Sequence, residues 1–240
     1  MTHTAPPSAS WPPSFTVRVS ARARHARLRA VPGKGLEVVI PQGSDPAKAA
    51  ALVCAHRDWV ERTLRRLGLD MPDNATALAP KAVVLHGSAL SLPVVCAGEE
   101  APGTDEATYI RLRAPRHETQ ACLGEAQTWL AHYARRFLQE ETATLAARHG
   151  FVHTALRVRR QKSRWGSCSA KGGINLNTCL VFLPLDLCRF VIVHELVHTR
   201  HHNHGQNFWK ALFAAESNAL ALDRKLRTAW KFVPAWVWQS

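Results

Sequence analysis

Val191-Ile-Val-His194-Glu195-Leu-Val-His198-Thr-Arg-His-His-Asn-His204 decides how the rest of this chain is read. It carries H-E-x-x-H on an apolar run. Residues four apart on a helix share one face, one turn apart, so His194 and His198 can offer two imidazole nitrogens to one metal ion. Glu195 projects beside them, where its carboxylate can hold a water. Hydrolytic zinc needs three protein ligands and one open position. His204 is the expected third ligand. It lies too far past His198 for the same helical face, so the helix has to end and the chain fold back. Residues 199–203 are the expected exit, with Asn203 suited to a left-handed helix end and Gly205 loosening the return. Glu216, from a following helix, is the alternative third ligand.

Immediately upstream, Leu156-Arg-Val-Arg159 alternates apolar and basic residues as a strand does. A turn over 169–173 and a second alternation at Ile174, Leu176 and Thr178 complete a β-hairpin in front of the H-E-x-x-H helix. An edge strand there can hold a peptide by main-chain hydrogen bonds. Arg157, Arg159, Arg160, Lys162 and Arg164 make this segment basic. They suit an acidic substrate or a nucleic-acid backbone, or simply guard an edge strand against aggregation. Pro184 and Asp186 open the helix that ends in the metal-binding stretch. A further helix is expected from Phe208 to about Ala229, followed by an aromatic tail over 230–238.

Before the hairpin, 118–149 is continuously helix-compatible and Gly150 closes it. Farther upstream, Phe15–Val19, Ala26–Val31 and Leu36–Ile40 read as a small antiparallel sheet, the last strand following a Gly33-Lys34-Gly35 turn. Arg18, Arg22, Arg24, Arg27 and Arg29 form a basic cluster on it. That cluster suits phosphate contact or a solvated outer face. One helix, capped near Ser44 or Asp45, runs to about Leu67 with Gly68 as its stop, and 71–79 is a linker. Short strands at 83–85, 92–96 and 108–113 follow.

The chain has 240 residues, 46% of them hydrophobic, enough for one sizeable core or two smaller ones. Its net charge of +13 favours acidic partners. The six cysteines include no C-x-x-C pair, which excludes a zinc ribbon or a thioredoxin-type motif and points to free thiols in a reducing compartment. Residues 1–14 are rich in Pro, Ser and Thr, lack a signal-peptide pattern and read as a disordered tail. No run of about eighteen apolar residues offers a membrane span. The expected location is the cytoplasm.

Arg164-Trp-Gly-Ser-Cys-Ser169, Ile174-Asn-Leu-Asn177, the H-E-x-x-H stretch and Asn203-His-Gly-Gln-Asn-Phe-Trp209, in that order, resemble the YgjP-like metallopeptidase family. The resemblance spans roughly residues 15–230. That family is similar to SprT-type zinc peptidases, which implies His194, His198 and His204 on zinc and Glu195 as general base in peptide-bond hydrolysis. It implies an α+β fold: a small zincin-like domain over 116–240, preceded by a β-rich part with one helix over 15–115. A basic, nucleic-acid-associated protein with structural zinc is the alternative, as is a DNA-linked SprT-like protease. Arg164, His201 and His202 are candidates to stabilise an oxyanion. Trp165 and Gly166 are expected to shape the hairpin, and Cys168 to be an unactivated thiol.

Overall fold

The computed structural model describes residues 11–31, 35–67 and 79–239. Most of the expected tail, the Gly33-Lys34 turn, the Gly68 stop and the 71–78 linker lie outside the described residues. The chain divides into two compact units between residues 76 and 77.

In the first unit, β1 (Phe15–Ser20), β2 (Arg27–Val31) and β3 (Gly35–Pro41) form one sheet in the order β1-β3-β2. The expected all-antiparallel arrangement is corrected: β3 pairs parallel with β1 and antiparallel with β2. The cause is apolar content. Leu36, Val38, Val39 and Ile40 are buried, so β3 takes the centre and the arginine-bearing strands take the edges. Across β3, Arg18 and Arg29 both face Glu37, at 3.3 and 3.9 Å, so two members of the basic cluster are paired internally. The single expected helix is two, α1 (Lys48–Ala55) and α2 (Arg57–Leu67), broken at His56. Ala49, Val53, Val60 and Leu64 join the β3 residues in one core.

The second unit begins with β4 (Ala82–Leu85), β5 (Leu90–Ala97) and β6 (Ile110–Pro115), with β5 central, antiparallel to β4 and parallel to β6. A domain boundary at 115/116 is therefore displaced. Val83, Leu85, Val94, Ile110 and Leu112 share one apolar core with the helices that follow, so these strands pack with 116–240. The long helix α3 (Thr119–His149) lays Leu123, Ala126, Leu130, Ala134, Leu138 and Leu145 into that core at three- and four-residue spacing. Gly150 ends it in the left-handed conformation at φ 67°, as expected of a C-terminal glycine.

A third sheet combines β7 (Ala155–Arg159), β8 (Gly166–Cys168) and β9 (Gly173–Asn177) in the order β7-β9-β8. The expected hairpin between the 156–159 strand and 174–178 is corrected: the antiparallel partner of β9, across 169–172, is β8. The basic strand β7 joins the far side of β9 in parallel. A 3₁₀ turn over Thr178–Phe182 then leads into α4 (Leu185–His198). Helix α4 is buried almost all round, as a central helix must be. The helix expected over 208–229 is divided into α5 (Gln206–Ala215) and α6 (Ala219–Leu226), with Glu216 at the break. Among the described residues all six cysteines are free thiols, and no helix is long and apolar enough to cross a membrane.

Candidate metal centre

The last turn of α4 places His194 and His198 on one face, with ring centroids 4.9 Å apart. The chain leaves the helix because the amides of Arg200 and His201 both bond the Val197 carbonyl, each at 3.0 Å. This closure uses no left-handed residue. Asn203 keeps a negative φ, as does Gly205 at −75°, so the expected left-handed exit is corrected. The return brings His204 to the pair, its Nε2 3.1 Å from Nε2 of His194. One nitrogen from each of the three histidines lies within 4.8 Å of the others, and they form the one such group among the described residues. Glu216 is outside it. Its carboxylate accepts the Asn218 amide at 2.9 Å and shapes the α5–α6 break instead.

The histidine chemistry suits a cation. Burial, with the neighbouring His198 and His204, holds His194 down at about 4, so it is neutral near pH 7. Burial also lowers His198. Nδ1 of His198 stands 2.9 Å from the His201 carbonyl oxygen. A carbonyl only accepts, so Nδ1 carries the proton and Nε2 keeps its lone pair free. Two nitrogens on one tetrahedral zinc, each bonded at about 2.0–2.1 Å, lie about 3.3 Å apart. The observed 3.1 Å between His194 and His204 fits that spacing. Phe208 of α5, fully buried, packs its ring against His194, His198 and His204 at 5.0, 4.5 and 4.6 Å. It is the floor that keeps the three imidazoles together. As a sequence feature it looks like any other core aromatic.

Glu195 is buried beside the trio, and its Oε2 has no hydrogen-bond partner. Burial pushes the carboxyl up to about 7, against the opposing pull of the Arg164 guanidinium. Arg164 is exposed, and of the three oxyanion candidates its charge is the one that reaches Glu195. The His201 carbonyl meets His198, and His202 is exposed. Cys168 is held up by burial and further by the charge of Glu195, which leaves it an unactivated thiol.

The strand beside α4 is β8, not the basic segment. Arg157 and Arg159 of β7 are exposed on the far side of β9, while Arg160 donates to the Val237 carbonyl at 2.6 Å and to Gln127 Oε1 at 2.9 Å. Two residues in the resembling motifs carry contacts that spacing alone does not reveal. Gly166 lies against the side chain of Glu195, and fully buried Asn177 ties down the segment leading into β8.

The profile of the YgjP-like metallopeptidase domain matches residues 24–229. The chain belongs to the YgjP-like metallopeptidase family. As a YgjP-like protein it is a metallopeptidase by family. Among solved structures it is similar to the metallopeptidase zymogen of Pyrococcus abyssi abylysin, at 20% identity over 38% of this chain and 92% of that one, with a TM-score of 0.35. It is also similar to the zymogen of Methanocaldococcus jannaschii jannalysin, at 19% identity over 37% of this chain and 92% of that one, with a TM-score of 0.33. No curated protein matches the chain.

Proposed function

We propose that this YgjP-like protein hydrolyses peptide bonds, with His194, His198 and His204 holding a zinc ion and Glu195 serving as general base. The observation that carries this is the convergence of three imidazoles on one point, beside a buried carboxylate with an unpartnered oxygen. A structural zinc site needs no such base and is normally closed by a fourth protein ligand. Among the described residues no fourth His, Cys, Asp or Glu joins the group.

Zinc bound there supplies Lewis acidity towards a scissile carbonyl and acidifies water to near neutrality. The protein's own residues do the rest. The neutral rings of His194 and His198 present lone pairs, and the His198 tautomer is held by the His201 carbonyl. Glu195 takes the proton of the attacking water and passes it to the departing amine. Arg164, whose charge reaches Glu195, would offset negative charge developing on the carbonyl oxygen. The substrate strand pairs along β8, whose outer edge has no strand partner among the described residues and which packs on α4. A cytoplasmic location is part of the same proposal, resting on the free cysteines. Nucleic-acid binding rests on net charge and on the exposed arginines outside the site, and nothing in the site favours it.

Elemental analysis of dialysed protein tests the centre. One zinc per chain in the wild type and sharply less in His204→Ala is the expected result. Equal zinc in both moves the third ligand elsewhere. Cleavage of fluorescently labelled casein by the zinc-loaded wild type, abolished by chelation, tests the activity.

A further inference from the structure

We infer that the corner Arg164-Trp165-Gly166 positions the Glu195 carboxylate, with Gly166 as its steric stop and Asn177 as its anchor. The inference rests on the proposed role of Glu195 and assigns work to two motifs, R-W-G-S-C and I-N-L-N, that the metal centre itself does not use.

A Cβ on Gly166 would stand 2.6 Å from Oε1 of Glu195, 2.7 Å from its Cγ and 2.9 Å from its Cδ. Three atoms of the acid side chain are therefore laid against the Gly166 backbone, closer than any side chain there would allow. Gly166 does not adopt a positive φ, so backbone freedom is not what the position demands. It demands space. The buried Oε2 of Glu195 accepts no hydrogen bond from the protein. Packing against Gly166, rather than hydrogen bonding, sets its direction and leaves that oxygen unclaimed for water and proton.

A steric stop works only if it does not move. Catalytic groups tolerate displacements of about 0.5 Å. The corner is fixed from behind by Asn177, which is fully buried. Its Nδ2 donates to the carbonyls of Gln161 and Arg164, both at 2.7 Å. Its Oδ1 accepts from the amides of Cys179 at 3.0 Å and Gln161 at 3.3 Å. Its own amide donates to the Trp165 carbonyl at 2.8 Å. Two donors and an acceptor on so short a side chain are available from asparagine alone; aspartate cannot donate, and serine offers a single donor. Trp165, itself buried, stacks on Trp230 with centroids 3.9 Å apart. None of these contacts involves His194, His198 or His204, so the corner acts on the base and not on the metal ligands.

Thermal unfolding of four metal-free proteins tests this: wild type, Gly166→Ala, Glu195→Ala and the double variant. In the wild-type background Gly166→Ala is expected to lower the midpoint by about 5 °C, as overpacking does. With Glu195 already Ala, the same change is expected to cost less than about 2 °C. Equal drops in the two backgrounds overturn the inference. Should Gly166→Ala not fold, folding of the double variant supports the inference and its failure to fold overturns it. A second readout separates base from metal. Gly166→Ala and Asn177→Asp are expected to keep wild-type zinc while labelled-casein hydrolysis falls at least tenfold; zinc lost in step with activity overturns the inference. If zinc-loaded wild type leaves casein intact, the peptidase proposal fails, and the unfolding cycle still decides whether Gly166 positions Glu195.

Discussion

Glu195 is held without a protein hydrogen bond on its buried oxygen, next to the neutral imidazole of His194. Replacing it with glutamine keeps the volume and removes the base. Glu195→Gln is expected to retain one zinc and to lose roughly 10²- to 10⁴-fold in turnover on labelled casein. Unchanged turnover would remove Glu195 from the mechanism. At this scale the histidine pair is legible because H-E-x-x-H maps directly onto one helical face, and His204 because its spacing from His198 suits a short turn with Gly205 directly after it. Gly166 and Asn177 are not. Their signals are contacts between segments distant in sequence, and a glycine chosen for space looks the same as one chosen for a turn.

Helices α4 and α5 meet through Phe208, whose ring touches all three candidate ligands. Phe208→Ala is expected to cost about 3–5 kcal/mol of stability in urea unfolding. Chelator competition should show weaker metal binding as well, since the rings lose their common support; unchanged affinity would make Phe208 a packing residue only. A second junction joins the end of β5 to the turn after β6. Glu99 accepts from Arg116 and, at 2.8 Å, from the Cys96 amide, while Arg116 also donates to the Val94 carbonyl at 2.8 Å. The Arg116 guanidinium, foremost, holds the Glu99 carboxyl down at about 2 from an ordinary 4.5. A folded-state value below the unfolded one stabilises the protein above about pH 4.5, and that contribution fades as pH falls towards 2. Wild type should therefore exceed Glu99→Gln in stability at pH 7, with the gap shrinking below pH 4.5 in acid-unfolding curves. A gap constant with pH would show the pair to be unimportant. Element positions were mostly legible from periodicity and from Gly150 and Pro184. Strand pairing was not, because alternation reveals which face of a strand is apolar but not which neighbour it takes. In the first and third sheets the strand with the most buried residues, β3 or β9, took the centre and forced one parallel pairing.

Over the whole molecule, every residue of the candidate centre and of the corner behind it lies in the unit from 77 onward. That unit has its own continuous apolar core, reaching from Ala79 to Val237. A fragment of residues 77–240 is expected to unfold cooperatively and to bind one zinc per chain. A fragment that aggregates or binds none would show that the preceding residues are needed. The expected boundary at 115/116 falls where β-rich sequence gives way to helix. Composition changes there, but the core does not, since β4 to β6 bury their apolar faces together with α3. The tight face-to-face stacking of Trp165 on Trp230 gives this unit an optical property as well. Two indoles in such contact couple their electronic transitions and split the circular-dichroism band that each would show alone. The corner beside Glu195 thus carries its own spectroscopic gauge, readable without label or substrate and extinguished by Trp230→Leu.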